Sequence, residues 1–230
     1  MRKAAVIAIA LLFLCAAVFA QNGTPSAKAG ATIRNLTCVY GADAYDQWLN
    51  VGDPITIKMN NVNDLFIGAS LETGLYTLTR VSTKLSSTGT PLESKAEATA
   101  GVKVRVVLDN NEAVLIPPGE VTFDQRIQTL SATLGQALTG CSINTDTGLV
   151  ECTGLTNQEI QLILDTLGAH SFNFVKTNVG TGVHTLQVQY KLNKNALDDG
   201  VSSTAIGKAC AGLGTVTVQS VRMANYIELQ

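Results

Sequence analysis

The residues able to do covalent or ionic chemistry are few. Beyond residue 20 the chain carries four cysteines, Cys38, Cys141, Cys152 and Cys210, and two histidines, His170 and His184. An even number of thiols behind an export signal points to disulfides rather than nucleophiles. In CSINTDTGLVEC, a turn over Thr145, Asp146, Thr147 and Gly148 sets Asn144 opposite Leu149, Ile143 opposite Val150 and Cys141 opposite Cys152. Asp and Gly suit that turn, so Cys141 is expected to pair with Cys152. Cys38 is then left for Cys210, a link across a very long loop that is worth roughly 5 kcal/mol in the chain-entropy model. No two cysteines have the spacing of a zinc knuckle, so no metal is expected on them.

The remaining candidates assemble into no catalytic set. Both histidines fall in phase with the apolar positions of HSFNFVKTNVGTGVHTLQVQYKL, residues 170–192, which reads as a hairpin closed near Gly180. Such a hairpin puts Tyr190 opposite His170, so His184 does not share a metal with it. Each histidine reads as an edge-of-core residue with a satisfied hydrogen bond. A G-x-S-x-G elbow is missing, and so is a glycine loop that follows a strand and opens a helix. Asp43, Asp46, Asp53 and Glu72 offer carboxylates, but nothing marks two of them as a sugar-hydrolysing pair. Asn144 and Asp146 begin like a calcium loop, yet Cys152 and Leu155 stand where later ligands belong. Neither a cofactor nor a metal is expected. Tyr45 and Trp48, aromatics in an irregular stretch, are the candidate ligand contacts, with burial of Trp48 in the core as the competing reading.

The elements that would position these residues are mostly strands. Ile33 to Tyr40 reads as a first strand, and Ile55, Ile57 and Met59 alternate with Thr56 and Lys58 as a second. Leu75 to Val81, Val102 to Leu108, Val121 to Gln125 and Thr215 to Met223 follow the same logic, with the hairpin at 170–192 between the last two. The stretch 127–138 fits helix or strand equally. The polar segment STKLSSTGTPLESKAEATAG reads as a long exposed loop. One helix is expected at Asn157 to Leu167, where Thr156 and Glu159 form a capping box and Ile160, Ile163, Leu164 and Leu167 form a stripe that ends at Gly168. The expected fold is therefore mainly β: an antiparallel β-sandwich with one short helix.

Arg2 and Lys3, followed by an apolar run that closes on Ala20, have the layout of a signal peptide over residues 1–20. Residues 21–31 are Gly/Ser/Ala-rich and read as a flexible N-terminus, followed by a sandwich domain over 32–230. A split near 82–101 is the alternative. Removing Arg2 and Lys3 from the 16 basic residues leaves 14 against 18 acidic ones, a net charge of −4 with no basic cluster. That argues against nucleic acid or an anionic membrane surface as a partner, and no stretch after residue 20 is long enough to span a membrane.

SFNFVKTNVGTGVHTLQVQ, with Gly182, Val183 and His184 before an alternating strand, resembles the closing strands of immunoglobulin-like and fibronectin-like sandwiches of exported bacterial proteins. The resemblance implies an immunoglobulin-like fold and a habit of adhesion or ligand display, and it implies no catalytic residue. Taken together, these features suggest an exported, non-enzymatic sandwich, secreted, periplasmic or at the cell surface. It would bind, adhere or assemble there, with a protein or a glycan as partner. A carbohydrate-active module, binding or hydrolytic, is the alternative.

Overall fold

Alternation of apolar and polar side chains carries this chain into strands several times the usual five or six residues. The computed structural model describes residues 29–34, 37–38 and 47–222. Among them the chain forms thirteen strands and no helix. They are β1 (Ala29–Arg34), β2 (Thr37–Cys38), β3 (Trp48–Asn50), β4 (Ile55–Met59), β5 (Asn63–Ser82), β6 (Lys84–Leu85) and β7 (Pro91–Leu108). β8 (Val121–Thr133), β9 (Gln136–Ile143), β10 (Val150–Asn157), β11 (Glu159–Val179), β12 (Gly182–Leu197) and β13 (Ser203–Val221) follow.

Two antiparallel sheets face each other. The first has the order β1, β13, β5, β11, with β2 also paired to β13. The second runs β3, β12, β7, β6, with β4 added on β12 and β8 on β7. β5 shows the rule that builds the core: Leu65, Ile67, Ala69, Leu71, Thr73, Leu75, Thr77, Thr79 and Val81 point inward on every second residue. Val102, Val104 and Val106 of β7, Phe174 of β11, Leu186, Val188, Tyr190 and Leu192 of β12, and Val216 and Val218 of β13 meet them from the other strands. Each such side chain stabilises the sandwich by about 1.5–3 kcal/mol through the apolar area it removes from water. A smaller cluster of Val81, Ala96, Ala98 and Ala205 closes the opposite end.

The expected helix is not formed. Asn157 ends β10 and Glu159 opens β11, which pairs with β5 from Glu159 opposite Ser82 to Lys176 opposite Leu65. The apolar stripe that imitates helical spacing comes from a strand with apolar residues on both faces: Ile160, Leu162 and Leu164 on one, Ile163 and Leu167 on the other. Such a run carries neither period cleanly, and eighteen consecutive pairings to β5 decide the matter.

The two arms read as one hairpin at 170–192 belong to different sheets. The turn at Gly180 to Gly182 passes the chain from β11 in the first sheet to β12 in the second, and β12 pairs with β7, β3 and β4. Alternation is present in both arms, but their apolar faces meet across the core instead of side by side. The segment 82–101 is largely strand: only the turn around Ser86 to Thr90 separates β6 from β7. Here Ala96, Ala98 and Ala100 are the buried positions, too small to stand out as an apolar pattern. β1 begins at Ala29, inside the stretch expected to be irregular. The stretch 127–138 is strand, shared between β8 and β9.

Candidate interaction surface

The chain between β8 and β11 leaves the sandwich. β9 and β10 form a separate two-stranded ribbon, with Leu138 opposite Leu155, Ile143 opposite Val150 and Cys141 opposite Cys152. Cys141 and Cys152 are joined by a disulfide, as their register requires. The tip is a side-chain-supported turn: Asn144 Oδ1 accepts from the N–H groups of Asp146 and Thr147, and Gly148 has the left-handed φ of 68° that the turn needs. The oxygen-bearing residues that imitate a calcium loop are therefore engaged in holding the turn, and no group of three or more metal-ligating side chains occurs among the described residues.

The ribbon is apolar without being buried. Leu138, Ile143, Leu149, Val150 and Leu155 are all more than half exposed. Exposed apolar side chains follow along the chain on β11, where Ile160, Leu162, Ile163 and Leu164 are two-fifths to one-half exposed and Leu167 is 65% exposed. β11 is also an edge. Thr83 N–H donates to the Gln158 carbonyl and Gln158 N–H to the Thr83 hydroxyl, which fixes the even-numbered residues of β11 as those whose backbone groups face β5. The odd-numbered ones face outward, and there Val175 N–H donates to the Pro117 carbonyl at 3.3 Å. Proteins normally protect such edges with proline, charge or a covering segment. From Gln161 to Asn173, β11 has only Asp165 as such a charge.

The sites read from the sequence are scattered. Tyr45 lies outside the described residues. Trp48 is half-buried at the opposite edge of the second sheet, with the Arg105 guanidinium 4.3 Å and the Lys191 ammonium 5.0 Å from its ring centre. Arg105 is held in turn by Gln189 at 2.8 Å and Glu112 at 3.2 Å. Trp48 thus serves its own sheet through cation–π contacts rather than presenting a bare ring. Cys38 of β2 is the register partner of Cys210 in β13.

Each histidine has its own carboxylate. His170 Nε2 lies 3.4 Å from Asp124 Oδ2, and its ring meets Phe123 edge-on. His184 Nδ1 is 2.9 Å from Asp109 Oδ2 and Nε2 is 3.1 Å from the Gly180 carbonyl. Both partners accept, so the imidazolium, with a proton on each nitrogen, satisfies both. The bond to Asp109 raises the His184 pKa above its ordinary value and outweighs burial. Burial pushes Asp109 up, but His184 and the Thr185 N–H together bring it below the usual carboxylate range. The carboxylate-lined hollow at Glu93, Glu97, Asp198 and Asp199 has no aromatic wall. Its Asp199 is committed to Ser202, Ser203 and Lys84, and the Ser202 bond foremost holds it ionised far below the usual range.

No single-residue motif could have revealed the β9 to β11 surface. Its signal is a run of apolar residues on both faces of one segment, beside a turn stapled by cysteines. Among the described residues no helix is long and apolar enough to cross a membrane.

No protein-family model and no curated protein matches the sequence. Among solved structures, the VP2 subviral particle of infectious bursal disease virus is similar at 9% identity and a TM-score of 0.19, over 86% of this chain and 42% of that one. The Gx strain of the same virus gives 9% identity and a TM-score of 0.17, over 85% and 40%. VP1 of trichodysplasia spinulosa-associated polyomavirus, in complex with 6'-sialyllactose, gives 11% and 0.13, over 87% and 97%. The chain spans less than half the length of the first two. Likenesses at these scores carry no argument about fold or function.

Proposed function

We propose that this chain is an exported, non-enzymatic β-sandwich that binds or assembles at a surface through the β9–β10 ribbon and the β11 edge. One observation carries the reading: a run of exposed Leu, Ile and Val side chains on both faces of a disulfide-stapled ribbon and of an open strand edge, where a solitary soluble protein would place charges. The disulfide is in keeping with an oxidising compartment outside the cytoplasm. The strand order, with β1 and β2 taken as one strand and β3 and β4 as another, favours a jelly-roll winding over an immunoglobulin-like one. The sequestered Trp48 and the committed Asp199 weigh against the carbohydrate-active alternative.

The test is retention on the outer surface of the exporting cells, for the natural chain and for a Leu138→Ser, Leu155→Ser double variant. The reading expects the natural chain to be retained and the variant to be released while still folded. Equal release of both overturns it, and a glycan-array signal that survives the variant would favour the carbohydrate module.

A further inference from the structure

We infer that the partner of the β11 edge is the β11 edge of a second copy, joined in an antiparallel two-fold ladder centred on Leu167. This rests on the binding reading above and names its occupant. The free backbone groups are those of the odd-numbered residues, and Val175 is already bonded to Pro117. In a two-fold antiparallel ladder, residues of the same face must oppose one another, so only registers pairing odd with odd are allowed.

The register centred on Leu167 sets Leu167 against Leu167, Ile163 against Ser171 and Gln161 against Asn173 on the outer face. On the inner face it sets Leu162, 40% exposed, against Phe172, 37% exposed. Asp165 then faces Ala169, and no charge of the strand opposes a like charge. Centring the ladder one residue earlier would put Asp165 against Leu167, and an in-register parallel pairing would bring Asp165 to Asp165 and Glu159 to Glu159. The facing edge β8 is tied to β11 and β5 across the core: Arg126 and Gln128 project from it and bond Thr166, the Leu75 carbonyl, Thr79 and the Leu162 carbonyl.

In this ladder the two Leu167 residues form a hydrogen-bonded pair with Cα atoms about 5.5 Å apart, inside the range a disulfide spans. The two Asp165 residues stand about 14 Å apart, out of range. The experiment uses the full exported chain. Light scattering is expected to show a doubled mass. Under air oxidation Leu167→Cys should form a linked dimer at least about tenfold more than Asp165→Cys. Ile163→Pro removes an outward N–H and no bond to β5, so it should give a monomer with unchanged far-ultraviolet circular dichroism. A natural chain that stays monomeric to about 100 µM overturns the inference, as does cross-linking through position 165 in preference to 167. If the chain is monomeric yet still retained on cells through the ribbon, the self-pairing fails and the proposed function stands. If retention is lost as well, both fail.

Discussion

The two ends of the sandwich are built on opposite principles. At one end Leu65, Ile67, Phe174, Leu186 and Tyr190 hold the sheets apart with bulk, and the space between them is filled by apolar side chains. At the other end the sheets approach until Val81 packs mainly against the small Ala96, Ala98 and Ala205, and a Cβ added to Gly207 would collide with the Thr99 carbonyl of the facing sheet. There the gap is spanned by hydrogen bonds. Thr77 donates to Gln128 Oε1 at 2.6 Å, and Gln128 Nε2 donates to Thr79 Oγ1 at 2.6 Å and to the Leu162 carbonyl at 2.9 Å. Ser94 reaches the Ser202 carbonyl at 2.8 Å. Area removed from water dominates the first end, and the satisfaction of buried polar groups dominates the second.

The largest effect should come from emptying the bulky end. Phe174→Ala is expected to lower unfolding free energy by about 3–5 kcal/mol in urea titration. A loss near 1 kcal/mol would mean that this end collapses easily. Next comes filling the thin end: Gly207→Ala adds one methyl group and should cost about 3 kcal/mol, although it removes nothing. A neutral result would show that the sheets can separate there. Gln128→Leu, close in volume, should cost about 2 kcal/mol by stranding two threonine hydroxyls.

The pH dependence belongs to the bulky end, where His184 and Asp109 join the β11–β12 turn to the end of β7. His184 is raised above 6.5, so its contribution is full below that pH and is lost as pH rises through the folded value. Asp109 is lowered below 3.8, so its contribution is present above that pH and is lost on further acidification. The stability difference between the natural chain and His184→Gln should therefore shrink from about pH 6 to pH 9. A constant difference would remove the ionic part of the latch. The smallest effect should follow Cys141→Ser with Cys152→Ser. The ribbon packs against neither end, so the sandwich midpoint should shift by less than about 0.5 kcal/mol while ribbon amides lose exchange protection.

The bulky end was the legible one. Ile55, Ile57 and Met59, and Val102, Val104 and Val106, alternate with polar residues and are found where alternation puts them, because one face of each strand is buried in apolar neighbours. The thin end was not legible, because Ala96, Ala98 and Thr77 mark a buried face only once the sheets are known to be close. Cys141 and Cys152 were legible because turn chemistry alone sets their register. The arms around Gly180 show the limit of that reasoning: a turn says that the chain reverses, not that its arms are neighbours. Ile160 to Leu167 differs from its expected helix for a related reason, since its spacing suits a helix until β5 is present to pair with it. Trp48 stands out by its type, but its partners Arg105 and Lys191 lie far away in sequence.

The winding of the chain also sets a timetable. Ala29 is the register partner of Gln219, and β5 lies between β11 and β13. A chain that emerges N-terminus first must therefore wait for Ser203–Val221 before the first sheet can close. Such non-local topologies fold in milliseconds to seconds rather than microseconds. Until then Leu65, Ile67 and Leu71 of β5 have β11 on one side but lack their β13 flank, and the vulnerable period is the interval before β13 arrives.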